Sequence, residues 1–195
     1  MSKQSGFLFI ADVTGYTKFV ASKELEHSNM ILTNVLKSLV DNIKPVFSIV
    51  KLEGDAVFGY LSVSSETEKN LDFSIVKIIY SKFKNLTADM SKDSPCGCEA
   101  CSGINALDLK FFIHYGDFII QNISGIVDLF GNDVNLLHRL TKNSLFDKTG
   151  WKGYLMMTEP VKSLLKIESN LYELEEPYDD LGLIKTYNLQ ISSLS

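Results

Sequence analysis

The sequence predicts an α+β fold with a ferredoxin-like core, a mostly antiparallel sheet flanked by helices. Two observations carry this reading. Apolar runs of strand length alternate with stretches of helical spacing. Several strand runs are separated by only two or three turn residues, which joins them as antiparallel hairpins. A doubly wound parallel sheet would instead need a crossover between neighbouring strands.

The elements follow in order. Residues 7–13, FLFIADV, read as a buried strand ending at Asp12, with Thr14 and Gly15 as its exit turn. From Tyr16 the spacing turns helical through Phe19, Leu25, Ile31, Val35, Leu39 and Ile43, and Pro45 ends that helix. Residues 46–52 and 55–61 are strands around Glu53-Gly54. Residues 66–86 are helical, with Leu71, Ile75, Ile79, Phe83 and Leu86 on one face. Residues 89–105 collect Asp, Ser, Pro, Gly and all three cysteines, and read as a loop or small insertion. Residues 107–123 form two strands around Tyr115-Gly116-Asp117, and 132–143 a helix built on Val134, Leu137 and Leu140. Residues 153–158 and 183–190 are late strands. No internal repeat or low-complexity linker divides the chain, so residues 1–195 read as one domain with an insertion at about 89–105.

A chain of 195 residues can bury about 70% of its unfolded surface. A net charge of −5 argues against nucleic acid as a partner, because that role needs a basic field. No segment reaches the roughly 18 apolar residues of a membrane helix. The apolar run at Phe7–Ala11 is too short for a signal peptide and is cut by Asp12. The expected location is therefore cytoplasmic, and Cys96, Cys98 and Cys101 are expected as thiols or metal ligands rather than disulfides.

Two aspartates stand beside glycine at strand edges, Asp12 in ADVTGYT and Asp55 in EGDAVF. If their strands are neighbours, both carboxylates project from one end of the sheet. Two hard oxygen ligands suit a divalent cation that also holds phosphates. Taken singly, Asp12 is equally a helix cap and Asp55 a turn residue. Thr14 and Gly15 leave free N–H groups at a helix start, where a phosphate can dock. Lys51 precedes Asp55 by four residues, which along an extended stretch returns to the same face, although a solvated lysine is the ordinary alternative. In the segment DLFGNDVNLLHRL, Asn135 and Arg139 are four apart and share a helix face. An amide and a guanidinium there can hold a sugar and a phosphate. The plain alternative is a solvated helix capped by Asn132 or Asp133.

These blocks, in this order, resemble the catalytic domain of class III adenylate and guanylate cyclases over about residues 7–190. FLFIADVTGYTKF resembles the first block, and implies Asp12 and the Val13 carbonyl at metal, with Gly15, Tyr16 and Thr17 near phosphates. VKLEGDAVFGYL resembles the second, and implies Asp55 as the other metal ligand and Lys51 as a reader of adenine. FIHYGD resembles a strand with a His-x-Gly pattern at His114 and Gly116. In the last block Asp128 matches the second base-reading position, Asn135 the ribose-orienting asparagine and Arg139 the transition-state arginine.

The resemblance implies a phosphorus–oxygen lyase that converts ATP to 3′,5′-cyclic AMP and pyrophosphate with two divalent cations, Mg²⁺ or Mn²⁺. It also implies a homodimer with shared sites. Other readings are a cyclase for another base and a catalytically silent nucleotide-binding module.

Two departures stand out. Leu181 occupies the place where many members carry a triphosphate-binding lysine, just before Gly182. The insertion SPCGCEAC is not a general feature of the family. Its C-x-C-x-x-C pattern offers Cys96, Cys98 and Cys101 as three soft ligands for Zn²⁺, against three reduced thiols. His27 and His138 are expected to be structural or surface residues, and His114 a core residue.

Overall fold

A computed structural model of the chain describes residues 2–21, 24–63, 74–93, 98–167 and 170–193. Its centre is strand β1 (Lys3–Thr14), which lies between β3 (Ala56–Ser62) and β4 (Asp108–Ile123), antiparallel to both. The sheet runs β2 (Ser48–Glu53), β3, β1, β4, β6 (Tyr154–Thr158), β8 (Gly182–Gln190), β7 (Tyr172–Tyr178), with β5 (Ile126–Phe130) added to β4. Among the described residues only the β4–β6 pair is parallel, so the expected mostly antiparallel sheet is what forms.

Alternation along β1 decides the layers. Phe7, Phe9, Ala11 and Val13 enter one core with α2 (Leu25–Ile43) and α3 (Ser74–Asp93), while Leu8 and Ile10 enter a second core with α5 (Asn132–Leu140). A strand buried on both faces reads as a continuous apolar run, which is why FLFIADV carries no polar alternation. Short helices α1 (Tyr16–Val20), α4 (Glu99–Gly103), α6 (Leu145–Thr149) and α7 (Glu159–Leu164) complete the layers. No helix among the described residues is long and apolar enough to cross a membrane.

Three expectations are corrected, and one strand is added. The helical run from Tyr16 is two helices, because the chain leaves α1 after Val20 and restarts at Leu25. Residues 107–123 are not two strands about Gly116 but one strand that turns only at Ser124-Gly125, where both residues adopt positive φ. The described parts of 89–105 are not an open loop. Its start finishes α3, and Ala100, Cys101 and Ile104 are buried in the larger core. Strand β7 was missed, since Pro177 and its run of acidic residues hide an edge strand's pattern. Leu71 lies outside the described residues.

Candidate active site

The end of β1 and the β2–β3 turn are held together by backbone. Asp12 faces Ala56 across the β1–β3 ladder, and Val13 N–H donates to the Asp55 carbonyl at 3.2 Å. The two carboxyl groups consequently meet. Burial first, and then the charge of Asp55, push Asp12 up to about 6, and burial raises Asp55 as well. The cation acting on both is Lys110, which faces Asp12 across the β1–β4 ladder and offsets part of the rise in each. The sequence reading missed Lys110. Its signal was a lone charge inside the apolar strand Leu109–Ile113.

The donor set fits a hard divalent cation. Two carboxyls forced together, each below its preferred charge state, are what a dication between them relieves. Asp12 is not a helix cap, since α1 is capped by Gly15, which takes φ 91°. Thr14, Gly15, Lys18, Lys110 and Lys152 line an adjoining cleft of about 760 Å³. Its three lysines outnumber Glu99 and Asp147, which also line it, and leave a net positive field suited to phosphate. Of the trio Gly15, Tyr16 and Thr17, only Gly15 lines it, whereas Tyr16 packs against the larger core.

Lys51 does not share Asp55's surroundings. A register shift in β2 between Ile49 and Lys51 redirects it, and its Nζ lies 3.2 Å from Asp128 and 3.2 Å from Glu53. The pair Lys51 and Asp128 is therefore assembled within one chain, from β2 and β5. His138 joins it, with Nδ1 3.3 Å from Glu53 and its ring edge-on to Phe58, a structural placement.

Helix α5 buries Val134, Leu137 and Leu140 and leaves Asn135 and Arg139 exposed on its outer face. Both line a second cleft of about 520 Å³ with Lys142, Asp179, Asp180 and Leu181. That cleft shares no lining residue with the first. Neither Asn132 nor Asp133 caps α5, whose N-cap is Gly131. Asp133 instead latches the helix to β4. Its carboxylate accepts from the Asp117 N–H at 2.6 Å and lies 3.1 Å from His114 Nε2, while His114 Nδ1 meets Thr158 Oγ1 at 2.7 Å. His114 is buried, as expected of a core residue, and burial holds it below its ordinary value.

A Cβ on Gly116 would run into the Asp133 carboxyl, so the His-x-Gly pattern is the seat of this latch. Gly116→Ala is expected to cost roughly 1–3 kcal/mol by overpacking, read as a lower urea midpoint at unchanged m-value.

At the insertion, Cys98 and Cys101 lie beside His27, the residue read from sequence as merely structural or surface. Cys96 lies outside the described residues.

The fold has solved counterparts. The adenylyl cyclase CyaB from P. aeruginosa superposes with a TM-score of 0.73 at 16% identity, covering 96% of this chain and 94% of that one. The guanylyl cyclase Cya2 superposes with a TM-score of 0.76 at 12% identity, covering 96% and 92%. The guanylate cyclase domain of RhGC from Catenaria anguillulae, solved with GTP, gives 0.60 at 14% identity, covering 96% and 97%. The fold is that of nucleotidyl cyclase catalytic domains. In sequence, the uncharacterized protein Rv2561/Rv2562 of Mycobacterium tuberculosis is 27% identical over 164 residues, 83% of this chain and 74% of that protein. A family model matches residues 32–149, and by it the chain belongs to the family described as "Protein of unknown function (DUF2652)".

Proposed function

We propose that the chain is a nucleotidyl cyclase that converts ATP to 3′,5′-cyclic AMP and pyrophosphate at sites shared between two copies of itself. The observation that carries this reading is the contact of Asp12 and Asp55 at neighbouring strand tips, next to a lysine-lined cleft. Asp12, Asp55 and the Val13 carbonyl would hold divalent cations. Such ions lower the pKa of an attacking hydroxyl and offset phosphate charge.

The other groups take their roles from position. Lys18, Lys110 and Lys152 hold phosphate oxygens in the first cleft. Asn135 fixes the ribose so that its 3′-oxygen stays in line with the α-phosphorus. Arg139 meets the charge that builds on the α-phosphate oxygens. Lys142, in the same cleft as Arg139, is a cation that can act where Leu181 replaces the expected lysine. Lys51 and Asp128 offer a donor beside an acceptor, which complements a ring nitrogen and an exocyclic amine. A base must displace their 3.2 Å ion pair to bind.

Separation of the clefts supports the dimer. One chain presents the acidic pair in one place and Asn135 with Arg139 in another, so a twofold partner would complete each site. Ile126 and Phe130 on the β4–β5 hairpin and Leu52 on β2 are exposed at 72%, 62% and 51%. Apolar side chains gathered there suit burial against a second copy.

One observation favours a second reading, a silent nucleotide-binding module. Asp179 and Asp180 face the cleft of Arg139 where positive charge would serve a triphosphate better. Incubating the purified chain with each of the four nucleoside triphosphates and Mn²⁺ separates the readings. Cyclic AMP with pyrophosphate is expected. A different cyclic nucleotide revises the base, and saturable nucleotide binding without product establishes the silent module.

A further inference from the structure

We propose that His27, Cys98 and Cys101 form a zinc site that clamps the start of α2 to α4, independent of the acidic pair. The ligand atoms of the three residues lie within 4.8 Å of one another, although His27 and Cys98 are 71 residues apart in the chain. His27 Nδ1 lies 3.4 Å from Cys98 Sγ. Tetrahedral zinc with Zn–S near 2.3 Å and Zn–N near 2.0–2.1 Å places its ligands roughly 3.5–3.8 Å apart. The His27–Cys98 spacing of 3.4 Å lies just below that range, and the widest spacing in the trio has to close by only about an ångström.

The two cysteines are already joined through a backbone contact. Cys98 caps α4, and its sulfur accepts the Cys101 N–H at 3.4 Å. The platform is fixed rather than loose. Ala100 and Ile104 are buried at 0% and 1% exposure, and Cys101 at 8%, so the second sulfur is presented from the core. Two thiolates and an imidazole form a soft-to-borderline set that selects zinc over magnesium, whereas Asp12 and Asp55 are hard donors. One chain can therefore sort two metals to two places. The fourth position on the ion is left to solvent or to another group.

The position gives the ion a consequence. Glu99 and Gly103 of α4 line the cleft that also holds Gly15 and Lys18, and Gly103 abuts Phe19 of α1. Tying α4 to α2 would set one wall of that cleft.

The test uses the full chain. Protein purified from zinc-supplemented cells is analysed for metal, then stripped and titrated with Zn²⁺ against a chromophoric chelator, and separately with Co²⁺. The expected results are one zinc per chain and a thiolate-to-cobalt charge-transfer band that disappears in C98S. His27→Ala should weaken zinc by more than the roughly ten- to hundredfold that loss of an outer-shell partner costs. Asp12→Asn should bind zinc as the parent does. His27→Ala and Cys98→Ser keep the test open should Cys101→Ser fail to fold. The proposal is overturned if the stripped chain does not compete with the chelator or if H27A and C98S bind like the parent. It is equally overturned if D12N abolishes binding, or if the chain isolates metal-free with Cys98 and Cys101 joined as a disulfide.

Discussion

Replacing Asp12 by asparagine is expected to abolish cyclic nucleotide formation and, at the same time, to make the metal-free protein more stable above about pH 6. Both effects come from one contact. Two carboxyls meet at the end of β1, and burial together with Asp55 raises Asp12 from 3.8 to about 6. A carboxyl whose pKa is raised by folding contributes its full stability below its unfolded value and loses it as pH climbs through the folded one. The loss therefore spans pH 3.8 to about 6 and is complete above that window. At about 1.4 kcal/mol per pH unit, it amounts to roughly 3 kcal/mol. Asparagine keeps the shape and carries no charge, so the variant regains that energy. Each recovered kcal/mol should lift Tm by about 2–4 °C in a chain of this size.

Mn²⁺ should reverse the order. A cation that binds only the folded state stabilises it by mass action, so the parent gains Tm with Mn²⁺ while Asp12→Asn does not. Melting curves at pH 5 and pH 8, each with and without Mn²⁺, check the whole pattern. A variant that is no more stable than the parent at pH 8 would mean the carboxyls do not strain each other.

The second large effect concerns which chain supplies what. Asp12→Ala and Arg139→Ala are each expected to lower turnover, the arginine change by on the order of 10²–10³-fold. Mixed and re-equilibrated, the two dead chains should recover up to a quarter of parental activity, because half the dimers are mixed and each carries one intact site out of two. The clefts that hold Gly15 and Arg139 share no residue, and that separation leads to this expectation. A mixture as inactive as its parents, from protein shown by sedimentation to exchange subunits, would place each site within one chain.

Much of this was legible because strand ends and helix faces are local properties. Asp12 and Asp55 each follow from an apolar strand meeting glycine, and Asn135 with Arg139 from a period of 3.6. Two blind spots were topological. Lys110 reaches the acidic pair only through the β1–β4 ladder, a pairing nearly 100 residues apart in the chain. His27 meets Cys98 only because α2 and α4 pack together. The remaining misses were energetic. Gly116 reads as a turn breaker, yet its lack of a side chain makes room for Asp133, and β4 runs straight through it. Cys101 reads as loop polarity, yet tertiary burial claims it for the core.

Strand β1 is hydrogen-bonded along both edges and covered on both faces, and Asp12 sits near its end. Its central amides are expected to exchange with deuterium only when the whole molecule opens, so the Asp12 carboxyl is tied to the slowest-exchanging part of the protein. On the proposed function, adaptation to an arriving nucleotide falls to the periphery, to the short α1 segment, whose single turn can shift without disturbing the ladder. The protein is thus built as a stiff anvil with a pliant rim.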